Sequence, residues 1–356
     1  MTKNNPLQDL GKQDISFFDR KKYSALFLLR HFFKKSETLK QADYNFRKKL
    51  SDKLRQKKSK GDTFEIPRVK SNLTPAEFRK NYAKPGIPVI IEKGCADWAC
   101  SGKWTFDFLE KEYSEIEFNL AFHKGFTPAD EIPSDDYHDK VHERIKVKDL
   151  VESIKTDGKK YMRFCSIMED RPELIEDMNL DWLRKMRICL LGCSYQSFIG
   201  ARNRMTPIHN GMTAFFFILP CGQKKWTLFS TSYKPLLSPE VTQFGHNFTE
   251  VKINDPDLNK YPGMDLIDRY VGVMNEGDIL YCPAWMWHEV ENFTDTWGVS
   301  YRFPYMWQAI TQSFAFTFKR ILLTDPPFWK VFYYSFFDAN ISKRDKYLLT
   351  PKVFND

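Results

Sequence analysis

Gly277-Asp-Ile-Leu-Tyr-Cys-Pro-Ala-Trp-Met-Trp-His-Glu-Val-Glu-Asn292 reads as two short strands separated by a proline-containing turn. Residues 278–282 are rich in the aliphatic and aromatic side chains that fill a pleated, half-buried surface, and 288–292 return to that pattern after the turn. The same grammar recurs at 188–191, 197–199, 213–219, 225–229 and 298–303. Short strands at close, turn-bounded intervals predict a barrel or a double-sheet jelly roll.

Upstream the pattern becomes helical. Thr74-Pro-Ala-Glu77 places Thr at a helix cap, Pro at the first helical position and Glu three residues after the cap, a reciprocal capping box. Further helices are expected after Trp104 and over 148–155 and 172–185, with a buried strand at 88–91. Residues 1–62 read as a separate basic helical arm and linker. Residues 63–305 read as the β-rich domain with a helical N-terminal part, and 306–356 as aromatic-rich C-terminal helices.

The charge is unevenly spread. Between Arg20 and Lys60 there are fifteen Lys/Arg against Glu37, Asp43 and Asp52, so this stretch carries +12 of a chain whose net charge is +8. A basic arm on a mildly acidic body is attracted to phosphate-rich surfaces, lipid or nucleic acid. A helix packed on the main domain explains the same residues. The seven cysteines form no CxxC pair, which suits buried free thiols and excludes a disulfide framework. No secretory signal or membrane-spanning run is apparent. The expected location is cytoplasmic, peripheral to a membrane.

His209, in Thr206-Pro-Ile-His-Asn-Gly-Met212, and His288 are the candidate metal ligands. Two histidines and one carboxylate form the facial triad that leaves open positions on Fe(II), but the carboxylate position here, two residues after His209, is Gly211. His138 and His142 are a weaker pair at helical spacing in a polar stretch. His123 and His246 offer nothing beyond surface chemistry.

The chain resembles the JmjC or cupin-like Fe(II) and 2-oxoglutarate-dependent oxygenases. In order, the elements that carry the likeness are Ile87-Pro-Val-Ile-Ile with Asp97-Trp98, Lys103-Trp-Thr-Phe-Asp-Phe-Leu, Ile199-Gly200 with Thr206-Pro-Ile-His209, Gly222-Gln-Lys-Lys-Trp-Thr-Leu-Phe229, and the 277–292 stretch. The resemblance implies a double-stranded β-helix in which His209 and His288 hold Fe(II). It gives Thr206 and Lys224 the far carboxylate of 2-oxoglutarate, with Lys225 taking the role if the strand register differs by one. A buried dianion requires such a cation and hydroxyl to offset its desolvation.

The departure at Gly211 leaves three outcomes open. Chloride or bromide can fill the vacant corner, similar to the His-x-Gly arrangement of iron- and 2-oxoglutarate-dependent halogenases. Water, or a carboxylate from elsewhere, can fill it, giving a hydroxylase. Alternatively, iron binding is lost and the fold serves as a binding module. Asn210 faces the other side of its strand and does not replace the acid. A small-molecule or lipophilic substrate is expected rather than a protein. The aromatic segments after Phe314 are expected to make homodimer contacts, and the basic arm to touch a membrane.

Overall fold

The computed structural model describes residues 10–123, 140–158, 160–165, 167–188, 193–243 and 245–324. Two sheets face one another. The smaller has the order β1 (Thr63–Glu65), β12 (Arg269–Met274), β10 (Lys224–Phe229), β14 (Trp287–Asn292), β8 (Met205–Asn210) and β11 (Asn247–Phe248). The larger runs β2 (Arg68–Lys70), β3 (Val89–Glu92), β13 (Ile279–Cys282), β9 (Ala214–Cys221), β15 (Thr296–Phe303), β7 (Ser194–Gly200) and β6 (Tyr161–Cys165). The strands β4 (Glu117–His123) and β5 (Lys140–Lys146) pair antiparallel as a separate two-stranded sheet. This is the mainly β, jelly-roll architecture with added helices that the strand grammar predicts.

Alternation sorts the side chains into two cores. On β15, Trp297, Val299, Tyr301 and Phe303 pack outward against the helices that precede the sheets, with Trp297 stacked on Trp104 at 4.8 Å between ring centroids. The indole of Trp104 donates to Asp177 at 2.9 Å. On the inner face, Phe215 and Phe217 of β9 and Trp226 and Leu228 of β10 fill the space between the sheets. Because side chains on a strand alternate with period two, this division also decides which polar residues enter the interior.

The Thr74 capping box is present, with both reciprocal bonds made. The helix expected over 172–185 is two, Glu173–Glu176 and Leu180–Met186, because Asn179 caps a new helix through Trp182. The strand expected at 188–191 falls largely outside the described residues, as do His138 and the aromatic run after Asp325. His142 lies in β5, so the helical spacing assumed for that pair does not hold. The strand β12 was missed: its Arg-Tyr-Val-Gly-Val-Met sequence has a glycine that lowers any strand signal. A Cβ at Gly272 would come within 3.0 Å of Ile66.

The basic N-terminal helices Phe17–Phe32 and Glu37–Arg55 pack on this frame. Tyr23, Phe27, Leu50 and Leu54 belong to the same buried cluster as the barrel interior, and Arg47 donates to the Lys260 carbonyl at 3.0 Å. The segment read as a linker is also tied down: Lys58 bridges Asp14 and Asp268, and Gly61 donates to the Asp265 carbonyl at 2.8 Å. No helix among the described residues is long and apolar enough to cross a membrane.

Candidate functional site

β8 and β14 run antiparallel with His209 directly opposite His288. The register shifts between His288 and Val290 because Val290 pairs with Thr206: two steps along β14 match three along β8. This bulge explains how Thr206 and His209, three apart and therefore on opposite faces of a regular strand, serve one interior. Along β14, His288, Val290 and Asn292 alternate inward without a bulge.

The loop before β14 locks the pair in place. Trp285 has a left-handed backbone, φ 61°, and its N–H donates to the Gly211 carbonyl at 2.7 Å. Its carbonyl accepts from the Asn210 amide at 3.1 Å and from Thr231 at 2.6 Å. Asn210 thus points away from the histidines, as strand alternation predicts.

The imidazole rings of His209 and His288 have centroids 4.1 Å apart, and both residues are buried. Nδ1 of His209 lies 2.8 Å from the Pro207 carbonyl and Nδ1 of His288 lies 2.9 Å from the Met286 carbonyl. A carbonyl only accepts, so Nδ1 carries the proton in both rings and Nε2 keeps its lone pair. Such anchoring by a backbone carbonyl is how metal-binding histidines are oriented. Burial holds both rings neutral, lowering the His288 pKa to about 4 and His209 well below its ordinary value.

On one side of the pair lies a polar cradle. Lys224 shares the inner face of β10 with Trp226 and Leu228 and is fully buried, whereas Lys225 points out toward Glu291 at 3.4 Å. Lys224 Nζ donates to Asn292 Oδ1 at 2.5 Å, and the Asn292 amide is held by the Ala201 carbonyl at 2.9 Å. The ammonium also lies 5.5 Å from the Tyr161 ring centre, and Tyr161 and Thr206 hydroxyls meet at 3.4 Å. Burial lowers the Lys224 pKa to about 7. Gly200 makes room for Tyr161, since a Cβ there would come within 2.3 Å of its ring.

The other side departs from expectation. β11 extends the smaller sheet by pairing Asn247 with Asn210 and Phe248 with His209, which brings His246 opposite Gly211. A Cβ on Gly211 would meet His246 Cδ2 at 3.0 Å and Nε2 at 3.3 Å. The corner expected to be open is therefore walled by an imidazole, and His246, read from sequence as surface chemistry, belongs to the site. Its Nε2 is 3.3 Å from Arg302 Nη1. Arg302 is buried, and its guanidinium lies 5.4 Å from the Phe215 ring centre; that ring is 5.5 Å from His288.

After burial, the neighbouring His288 and His246 rings and the Arg302 guanidinium also disfavour a proton on His209. Among the described residues no group of three or more His, Cys, Asp or Glu side chains is arranged to hold a metal ion. The donor set thus fits a metal held by two protein nitrogens whose other positions are filled by ligands brought from solution, with Lys224 and Arg302 favouring anions among them.

Sequence reasoning singled out His209, His288, Gly211, Thr206 and Lys224, and the fold gathers them. It missed Tyr161, Asn292, His246 and Arg302. Asn292 ends the quoted 277–292 stretch, four residues after His288 on the same face, and was readable. His246 becomes visible only through the β8–β11 pairing.

A family model described as a cupin-like domain matches residues 75–310. Among curated proteins, the chain is similar to lysine-specific demethylase 8 of Danio rerio, 25% identical over 252 residues that cover 67% of this chain and 58% of that protein. It is 23% identical over 261 residues to JmjC domain-containing protein D of Dictyostelium discoideum, covering 66% and 55%. HSPB1-associated protein 1 of Homo sapiens matches at 27% over 137 residues, covering 37% and 27%. The chain spans about half the length of the first curated relatives it matches, 49% to 58%.

Proposed function

Because the chain belongs to the cupin-like domain family, whose JmjC members it resembles, we propose that it is an Fe(II)- and 2-oxoglutarate-dependent oxygenase acting on an unactivated C–H bond. The observation that carries this reading is the pair of opposed imidazoles whose Nδ1 protons are spent on backbone carbonyls. When bound, the metal and cosubstrate would supply oxygen activation coupled to decarboxylation of 2-oxoglutarate to succinate.

The chain's own residues do the rest. His209 and His288 present two neutral nitrogen donors. Lys224 and Thr206 receive the far carboxylate, Asn292 and Tyr161 hold Lys224 in place, and the Phe215, Phe217 and Trp226 rings exclude water from the interior. The dianion restores the proton that burial weakens on Lys224. Succinate formation from 2-oxoglutarate with Fe(II), lost in His288→Ala, tests the reading; absence of any turnover across candidate substrates, with iron bound, would favour the binding-module alternative.

A second reading has a specific observation behind it. His246 lines Gly211, where an acid would stand in a full facial triad, and the buried Arg302 lies 3.3 Å behind that imidazole, so this side carries a cation and no anion. A chloride or bromide entering beside them would balance that charge, which is the halogenation reading; a hydroxylase would instead be indifferent to halide. Bromide-dependent changes in the metal's spectrum distinguish the two. The names of the similar proteins suggest a methylated lysine substrate, but the cationic surroundings of the pair favour a neutral or anionic molecule over an ammonium. We place a small, lipophilic substrate first.

A further inference from the structure

The helix Phe17–Phe32 has two apolar faces. One, with Tyr23, Phe27 and His31, is buried. The other runs through Phe18, Ala25, Leu29 and Phe32, again at helical spacing, and is exposed: Phe18 is 79% accessible and Phe32 56%, with Phe33 at 61% just beyond. The helix Phe314–Leu322 lies beside it. Phe27 meets Phe316 at 5.0 Å between centroids, and Lys234 Nζ bridges Ser24 at 2.5 Å and Ser313 at 3.4 Å.

The second helix also leaves apolar residues outside. Phe314 is 57% accessible and Leu322 53%, and Trp307 on the preceding helix Met306–Gln312 is 68% accessible. So many exposed aromatic side chains on three helices packed in succession are not the scattered exposure of an ordinary surface. Basic residues stand beside them: Lys21, Lys22, Lys34 and Lys35 are exposed, and none is drawn into an ion pair among the described residues.

We propose that the outer faces of these three helices form a peripheral membrane-binding surface for anionic lipid. Aromatic side chains would enter the headgroup boundary while the lysines meet lipid phosphates, the arrangement of an interfacial amphipathic helix. Charge decides between occupants. A two-fold dimer through this face would set the same lysines against one another. The chain's own residues 325–356 hold five Lys/Arg against four Asp, so they cannot neutralise the patch. The inference does not depend on the iron chemistry.

The test is co-sedimentation of the full chain with phosphatidylcholine vesicles that do or do not contain about one-third phosphatidylserine. The expected result is binding only to the anionic vesicles, weakened by salt, with the double reversal Lys34→Glu/Lys35→Glu lowering affinity by about a hundredfold. Phe32→Ser/Phe33→Ser should lower it at least about tenfold. All four positions are exposed, so an unchanged circular-dichroism melt is expected to confirm that the variants fold. Quenching of Trp307 by spin-labelled lipid, read against Trp307→Phe, places the contact on this face. Three results would overturn the proposal: no binding to either vesicle, binding that ignores both double variants, or a concentration-dependent dimer abolished by the Phe substitutions without vesicle binding.

Discussion

The two flanks of the histidine pair differ in kind. On the Lys224 side, a run of buried hydrogen bonds suits one ligand, a dianion: Lys224 on Asn292, Asn292 on Ala201, Thr206 with Tyr161. On the Gly211 side, the protein supplies imidazole and guanidinium where a metal site of this type would supply a carboxylate. The contrast teaches that a glycine at 211 does not leave that side of the pair empty. One flank holds a hydrogen-bonded buried lysine, and the flank that lacks the acid holds a buried guanidinium. Iron held by two neutral nitrogens would depend on anions from solution for the charge a carboxylate normally contributes.

The largest expected effect is on the residues the two flanks share. His209→Ala or His288→Ala should lower Fe(II) affinity by at least about 100-fold, since even orienting partners of metal ligands cost 10- to 100-fold; equilibrium dialysis measures it. If either variant binds iron as the wild type does, the pair is not the metal's anchor and the comparison between its flanks loses its centre.

Next comes the Lys224 flank. Lys224→Met should weaken 2-oxoglutarate binding by about 100-fold or more, the cost of removing one partner of a buried charge pair, with calorimetry as the readout. Burial lowers the Lys224 pKa to about 7 in the folded protein, whereas an unfolded lysine titrates near its ordinary value. Between those values the unfolded state binds more protons, so the apoprotein should gain stability as pH rises through that window. Lys234 and Lys319, also lowered to about 7 by burial, add to the same trend. Binding of the dianion has the opposite sign: it requires the charged lysine and should weaken about tenfold per pH unit above about 7. Chemical-denaturation curves and binding isotherms at several pH values check both slopes.

The Gly211 flank should give smaller effects. Arg302→Gln removes the buried cation and should weaken bromide binding to the site by about tenfold, measured as the bromide concentration that half-perturbs the metal spectrum. Gly211→Asp should tighten iron in the absence of cosubstrate and remove the bromide response. His246 must first yield a few tenths of an ångström to admit the new Cβ. An unchanged bromide response in both variants would reduce the flank to packing. The smallest effect is expected from Gly200→Ala, whose Cβ would come within 2.3 Å of the Tyr161 ring and push it aside, and which should cost several-fold in cosubstrate affinity, roughly the net worth of one hydrogen bond.

The architecture was legible in the 277–292 stretch because the turn at Pro283 and the alternation around it leave little choice of fold. Lys224 over Lys225 became decidable once Trp226 and Leu228 were known to face inward. The basic helical arm had two readings from composition, and the buried Tyr23 and Phe27 show that one face of it packs on the barrel. His246 and Arg302 were not legible, because what makes them part of the site is register: His246 comes opposite Gly211 through a two-residue strand, β11, too short to show periodicity. The glycine in place of an acid was plain in the sequence, but the wall behind it lay 35 residues further along the chain. Tyr161 was hidden for a similar reason, its place being cut by the absence of a side chain at Gly200.

The most direct test of the central claim is anaerobic Fe(II) titration with and without 2-oxoglutarate, following the metal-to-ligand charge-transfer absorption. Iron uptake that strengthens markedly with cosubstrate, giving a band that is lost in His288→Ala, is the predicted result. Failure to take up iron even at saturating 2-oxoglutarate would contradict it.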